Sequence, residues 1–255
     1  MLSFSLYGLK TKIIIDFKNI LGFFMSSYKG HSLFAVVLSL LMFHNPLAIA
    51  ISLLSANFPD FDHEFKRNQV LNIFLFGVLI TVFLYILNLP YYFGLILIAL
   101  AVIFLLSSHR GFTHSIFGII IQALAIFFLI FFTLDLFLSF NLKCNIPNLS
   151  LNLVIVFILL GFLGLFFLNR KLSMLYISFI IMSLLAIYLG LVPAFSLDLN
   201  MIVFSIFLGL LSHLILDSFT PSGIKAFSPF TEKSFHKWFG IIVLIFIFVI
   251  FAFLF

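Results

Sequence analysis

The chain has 255 residues, of which 64% are hydrophobic and 8% charged, and its mean hydropathy is +1.35. A soluble domain carries about 25% charged residues, so this composition excludes a soluble globular domain and implies a polytopic membrane protein. The net charge of +5 is not read as a nucleic-acid signature, because no soluble segment interleaves basic and aromatic residues. The single cysteine, Cys144, excludes an intramolecular disulfide and any cysteine-built zinc or iron–sulfur site.

Along the chain, Lys10 and Lys12 precede Ile13, Ile14 and Ile15, but Asp16 and Lys18 interrupt the apolar run, so residues 1–30 do not read as a signal peptide. Residues 11–25 are instead expected to form a helix lying in the membrane interface, with snorkelling lysines. Apolar runs follow at 32–43, 46–58, 70–88, 92–107, 115–139, 150–168, 172–192, 198–216 and 238–255. Most are long enough to span about 30 Å of hydrocarbon. The first two are not, and Asn45-Pro46 favours a break between them. The expected fold is an all-α polytopic helix bundle with about 7–8 spanning helices. Residues 32–58 form either a re-entrant helical hairpin or one kinked helix. No internal repeat appears, and residues 1–255 read as a single transmembrane domain.

Charge decides between the two alternatives. With a hairpin at 32–58, Lys10, Lys12, Lys18, Lys29, Lys66, Arg67, Arg110, Arg170, Lys171, Lys225, Lys233 and Lys237 share one side, leaving only Lys143 opposite. That asymmetry marks the shared side as cytoplasmic. The same assignment brings three polar islands to that face: Pro59-Asp60-Phe61-Asp62-His63, His109-Arg110-Gly111-Phe112-Thr113-His114-Ser115, and His213 with Asp217. Charged and imidazole groups are expensive at this depth, so each island needs a task.

His213 and Asp217 are spaced i, i+4 and share a helix face, where they can hold one metal ion together. The structural alternative is a buried His–Asp hydrogen bond that tightens packing. Ser218 to Gly223, with Pro221, ends that helix. His109 and His114 need a turn through Gly111 to point the same way, and Thr113 or Ser115 is expected to cap the next helix. Asp60 and Asp62, in an extended loop, would project side by side, a juxtaposition that calls for a cation between them. Their alternative is a solvated surface, since Glu64, Lys66 and Arg67 follow. Arg110 is either a topology anchor or a clamp for an anionic oxygen. His31 becomes a candidate ligand by its side of the membrane. His63 stays open between ligand, supporting partner and solvated residue, while His44 and His236 fall outside the set.

The order His31, Pro59-Asp60-x-Asp62-His63, His109-Arg110-Gly111-x-Thr113-His114-Ser115 and His213-x-x-x-Asp217-x-x-Thr220-Pro221-x-Gly223 resembles the YdjM-type membrane-bound metal-dependent hydrolase family. The His-Arg-Gly-x-Thr-His-Ser element is its most specific part, and the resemblance runs from about residue 31 to residue 230. It implies that His31, Asp60, Asp62, His109, His114, His213 and Asp217 are the family's polar pattern.

Three readings are compatible with these residues, the third being a non-catalytic membrane protein in which they hold a structural metal. In the first, they bind one or two divalent ions, zinc foremost and manganese or iron next. Metal-activated water then attacks a phosphoester or ester, possibly of a lipid or lipid-linked substrate at the cytoplasmic face of the cell membrane. Asp62 would be the general base and Arg110 the stabiliser of a phosphoryl oxygen. In the second, the same residues line a cation or proton transport path, which would need polar groups toward both faces.

Overall fold

A computed structural model describes residues 27–140, 148–193 and 195–254. The expected interfacial helix at 11–25, together with Lys143 and Cys144, lies outside the described residues. Among the described residues nine α-helices carry the fold: α1 (Tyr28–Met42), α2 (Pro46–Ser55), α3 (Arg67–Ile86), α4 (Tyr92–Leu106), α5 (Ile116–Ser139), α6 (Leu151–Phe167), α7 (Arg170–Tyr188), α8 (Leu199–Ser218) and α9 (Lys237–Leu254). Among the described residues no strand forms; only an isolated antiparallel bridge joins Ile224 to Phe235.

Each of the nine apolar runs becomes one helix. Among the described residues five elements are long and apolar enough to cross a membrane: Glu64–Ile86, Ile116–Ser139, Arg170–Tyr188, Leu199–Ser218 and Lys237–Leu254. With 15 and 17 residues, α4 and α6 fall below that length. At 1.5 Å per residue they reach about 23 and 26 Å, short of a hydrocarbon core of about 30 Å.

The break at 43–45 is set by local chemistry. Asn45 caps α2 by accepting from the Leu47 amide at 2.9 Å, and Pro46 occupies its first turn, where a missing amide is harmless. The two helices then fold back on each other. Asn57 Nδ2, just after α2, donates to Ser32 Oγ, in the first turn of α1, at 2.9 Å. A single continuous helix would hold these residues far apart.

Helix α8 is the central element. It packs against α1, α2, α5 and α9 and is buried along most of its length. Gly209 permits the approach of α2: a Cβ there would collide with the Ser52 carbonyl and crowd Ser55 and Ala56. Ser52 Oγ also donates to the Ser205 carbonyl at 3.0 Å, and Tyr176 on α7 donates to the Ala50 carbonyl at 3.0 Å. Beneath the polar end sits an aromatic floor of Phe58, Phe61, Phe104 and Phe167, in which Phe58 stacks on Phe167 with centroids 4.2 Å apart.

Candidate metal centre

Three short segments and two helix ends converge at one end of the bundle. Pro59–Asp62 and Phe112–His114 are single 3-10 turns, the first opening on Pro59 and the second tied down by α5. Gln122 Nε2 donates to the Thr113 carbonyl at 2.8 Å, and Ser115 caps α5 by accepting from the Gly118 amide at 3.0 Å. Of the two expected capping residues, Ser115 takes the role, while the Thr113 hydroxyl donates to Asp62.

The 3-10 turn corrects the expectation of an extended 59–63 loop with Asp60 and Asp62 side by side. In a turn of about three residues, positions i and i+2 point apart, and the two carboxylates bracket His114 instead. Asp60 Oδ1 lies 3.7 Å from His114 Nε2, and Asp62 Oδ2 lies 3.3 Å from His114 Nδ1. The reversal between His109 and His114 runs through Gly111, whose amide donates to the Ser108 carbonyl at 2.8 Å. Arg110 beside it takes the left-handed conformation, at φ 57, which costs about 1–3 kcal/mol for a residue with a side chain.

His114 and His213 share one pattern. His213 Nδ1 lies 2.7 Å from the Ala56 carbonyl and His114 Nδ1 faces Asp62, so in the neutral form of each ring Nδ1 carries the proton and Nε2 the lone pair. Both Nε2 atoms are buried without a hydrogen-bond partner, as is His31 Nδ1. They face a common pair of carboxylates. His114 Nε2 lies 3.7 Å from Asp60 Oδ1 and 3.4 Å from Asp217 Oδ2, and His213 Nε2 lies 3.6 and 3.3 Å from the same two atoms. Four donors placed tetrahedrally at the about 2.0–2.1 Å of a zinc ligand would sit about 3.3–3.4 Å apart. Orphaned buried nitrogens beside unneutralised carboxylates at this spacing fit a divalent cation.

His31 joins from the hairpin, stacked on His213 with centroids 3.8 Å apart and with Nε2 3.5 Å from Asp217 Oδ1. His109 stands one layer out: its Nδ1 lies 2.9 Å from Asp62 Oδ1, and the residue is exposed. Together the side chains form three groups with ligating geometry: His31, His213 and Asp217; Asp60, His114 and His213; and Asp62, His109 and His114. All seven candidate ligands are therefore in contact, though Asp62 and His109 lie on the far side of the His114 ring. His63 stacks on Phe65 and neighbours His109, while His44 at the hairpin bend and His236 in the 219–236 loop are exposed and remote.

Electrostatics shows what the cluster favours. Burial pushes the His114 imidazole down, but the carboxylates of Asp60, Asp62 and Asp217 outweigh it and raise it to about 10. Burial likewise pushes Asp62 up, yet His109 and His114, helped by Thr113, hold it at about 2. The three carboxylates thus favour a positive charge at the His114 ring despite the loss of water, and the proton on Nε2 would have to give way to an ion for that nitrogen to ligate.

Arg110 forms the outer wall. Its guanidinium donates to Thr220 Oγ1 at 3.2 Å and to Ser222 Oγ, with its other terminal nitrogen 4.0 Å from Asp217 Oδ1. A cavity of about 260 Å³ opens onto the cluster between Tyr28, His31, Asp60, Lys66, Arg110 and Asp217. Sequence reasoning passed over Gln122, Ser222 as a partner of Arg110, and the Ser32–Asn57 pair, and it placed Thr220 in the motif without a role. Gln122 had a visible signal, an amide within an apolar helical run; the rest are ordinary loop and cap residues until folded.

The family model described as YdjM inner membrane protein matches residues 25–255. No curated protein and no solved structure matches the chain.

Proposed function

The chain belongs to the YdjM inner membrane protein family, and from that premise we propose that it is a metal-dependent hydrolase of the cell membrane. The observation that carries this reading is the pair of buried, partnerless Nε2 atoms of His114 and His213, spaced 3.3–3.7 Å from Asp60 and Asp217. These four residues would hold one ion, with His31 beside them on Asp217. Zinc suits the imidazole-rich donors best, and manganese or iron suits the mixed set next. When bound, a divalent ion there supplies Lewis acidity, ionising water near neutral pH and drawing charge off the attacked group.

The chain's own residues divide the remaining work. Asp62 accepts from His109, Thr113 and His114, so its oxygens are engaged, and an orienting role fits better than direct ligation or free general-base duty. Asp60, 20% exposed beside the cavity, is the carboxylate nearer to solvent; with Oδ1 toward the ion, its other oxygen would be the one placed to take a proton. Arg110, positioned by Thr220 and Ser222, would stabilise charge on an anionic oxygen.

Sidedness is part of the proposal. Residues 32–58 would be re-entrant, and α3 to α9 would cross seven times as one domain, α4 and α6 by local thinning or tilt of the lipid around them. Lys29, Lys66, Arg67, Arg110, Arg170, Lys171, Lys225, Lys233 and Lys237 all sit at helix ends or loops on the side of the cluster, which by the positive-inside rule is cytoplasmic. A transport path would require polar groups continuing toward the other face. The buried faces of α5 and α8 continue without a charged or imidazole group, as Ile126, Leu129, Ile130 and Thr133, and as Ile206, Ser205, Ile202 and Met201, which supports the enzyme.

The test is metal content of the detergent-purified protein by elemental mass spectrometry, beside His114→Ala and Asp217→Ala. One or two equivalents in the wild type, lost in both variants, is the expected outcome. No metal after reconstitution with zinc and with manganese would overturn the proposal.

A further inference from the structure

Lys66 is a buried-side cation with no assigned partner. It ends the 3-10 turn Glu64–Lys66, and its ammonium lies 4.2 Å over the Phe61 ring, which fixes its direction. It lines the same cavity as Arg110, Asp60 and Asp217, yet it makes no ion pair among the described residues. Two cations of different chemistry thus face one small cavity that opens on the metal-type cluster.

The charges around that cavity decide what it takes. Asp60, Asp62 and Asp217 are opposed by Lys66, Arg110 and one divalent ion, which leaves the filled site with a single excess positive charge. Imidazoles contribute none, because a ligating histidine is neutral. A neutral carboxylic ester would leave that charge unmatched, whereas a phosphoester would neutralise it, its oxygens reached by a guanidinium fork on one side and an ammonium on the other. Size gives a second constraint. At about 260 Å³ the cavity is below the about 300–1,000 Å³ that encloses a drug-sized ligand, so only a small head fits and the rest of the molecule must lie outside. At the rim are Tyr28 and Phe65, the latter 90% exposed, an apolar lip suited to a lipid tail.

Resting on the metal-centre reading above, we propose that Lys66 and Arg110 together read the phosphate group of a small-headed, amphiphilic phosphoester, Lys66 being the residue that sets phosphoester over carboxylic ester. The test titrates inorganic phosphate, and separately the neutral ester methyl acetate, into zinc-loaded full-length protein by calorimetry, with metal content measured on every sample. Phosphate should bind and methyl acetate should not. Lys66→Gln should keep its metal but weaken phosphate binding by about 10- to 100-fold, the loss expected for one charge-assisted hydrogen bond, and Lys66→Arg should restore it. Short-chain phosphatidic acid should displace phosphate more effectively than glycerol 3-phosphate. Metal retained with phosphate affinity unchanged in Lys66→Gln, or methyl acetate binding as well as phosphate, overturns this inference alone. Equal displacement by the two glycerol phosphates overturns the amphiphilic substrate. Absence of metal from the wild type overturns the underlying centre as well.

Discussion

His114 faces a carboxylate with each ring nitrogen, Asp62 at Nδ1 and Asp60 with Asp217 at Nε2. A ring held in this way presents a lone pair in one direction only, and the carboxylate behind it raises its basicity. Asp62→Asn conserves shape while replacing one acceptor oxygen by a donor, so either His109 or His114 loses its partner. Metal affinity should fall about 10–100-fold, the usual effect of losing such a supporting partner, when measured by competition with a chromophoric chelator. Complete loss would make Asp62 a direct ligand, and unchanged affinity would remove it from the centre. The sequence made His114 visible as a polar residue in an apolar setting, and the i, i+4 spacing already paired His213 with Asp217. It did not reveal which nitrogen meets which oxygen. That depends on the Ala56 carbonyl and on a 3-10 turn at Pro59–Asp62, and both are fixed by long-range packing.

Helix α8 carries His213 and Asp217, and Gly209, one turn before His213, sets how closely α2 approaches. The Ala56 carbonyl reaches His213 only because that approach is tight. Gly209→Ala would force the Ser52 carbonyl aside and should destabilise the protein by about 1–3 kcal/mol, as overpacking does. Gly161→Ala on α6 is the matched control, since its added Cβ would meet only Ile180 at 3.7 Å. There the helix gains about 1 kcal/mol from the loss of glycine's backbone freedom. Thermal unfolding in detergent should therefore move the two midpoints in opposite directions. A Gly209→Ala midpoint at or above wild type would show that the α2–α8 contact is slack. At this scale the sequence was largely legible. Every apolar run became a helix, and the Asn45-Pro46 break fell where capping chemistry required it. The runs at 92–107 and 150–168 match α4 and α6 to within a residue at each end; what hydropathy did not convey is that helices of 15 and 17 residues fall short of the hydrocarbon thickness.

For the whole molecule, function depends on the islands facing one compartment. The aromatic floor of Phe58, Phe61, Phe104 and Phe167 ties the loops after α2, α4 and α6 to one end of the bundle. Arg110 ties the loop after α4 to the loop after α8 through Thr220 and Ser222. At the other end, Asn148 Nδ2 donates to the Tyr188 carbonyl at 3.3 Å, joining the start of α6 to the end of α7. Charge asymmetry in the sequence anticipated this grouping because lysine and arginine record which loops stay in the cytoplasm. Cysteine labelling converts the grouping into a measurement. In a Cys144→Ser background, Ser108→Cys and Ser222→Cys, both at exposed positions, should react with an impermeant maleimide only in inverted vesicles. Asn88→Cys, exposed in the turn between α3 and α4, should react only from outside intact cells. Labelling of Ser108→Cys and Ser222→Cys from opposite faces is incompatible with one shared centre. Joint labelling from outside would keep the centre but turn it toward the exterior, so that its substrate would have to come from the outer leaflet.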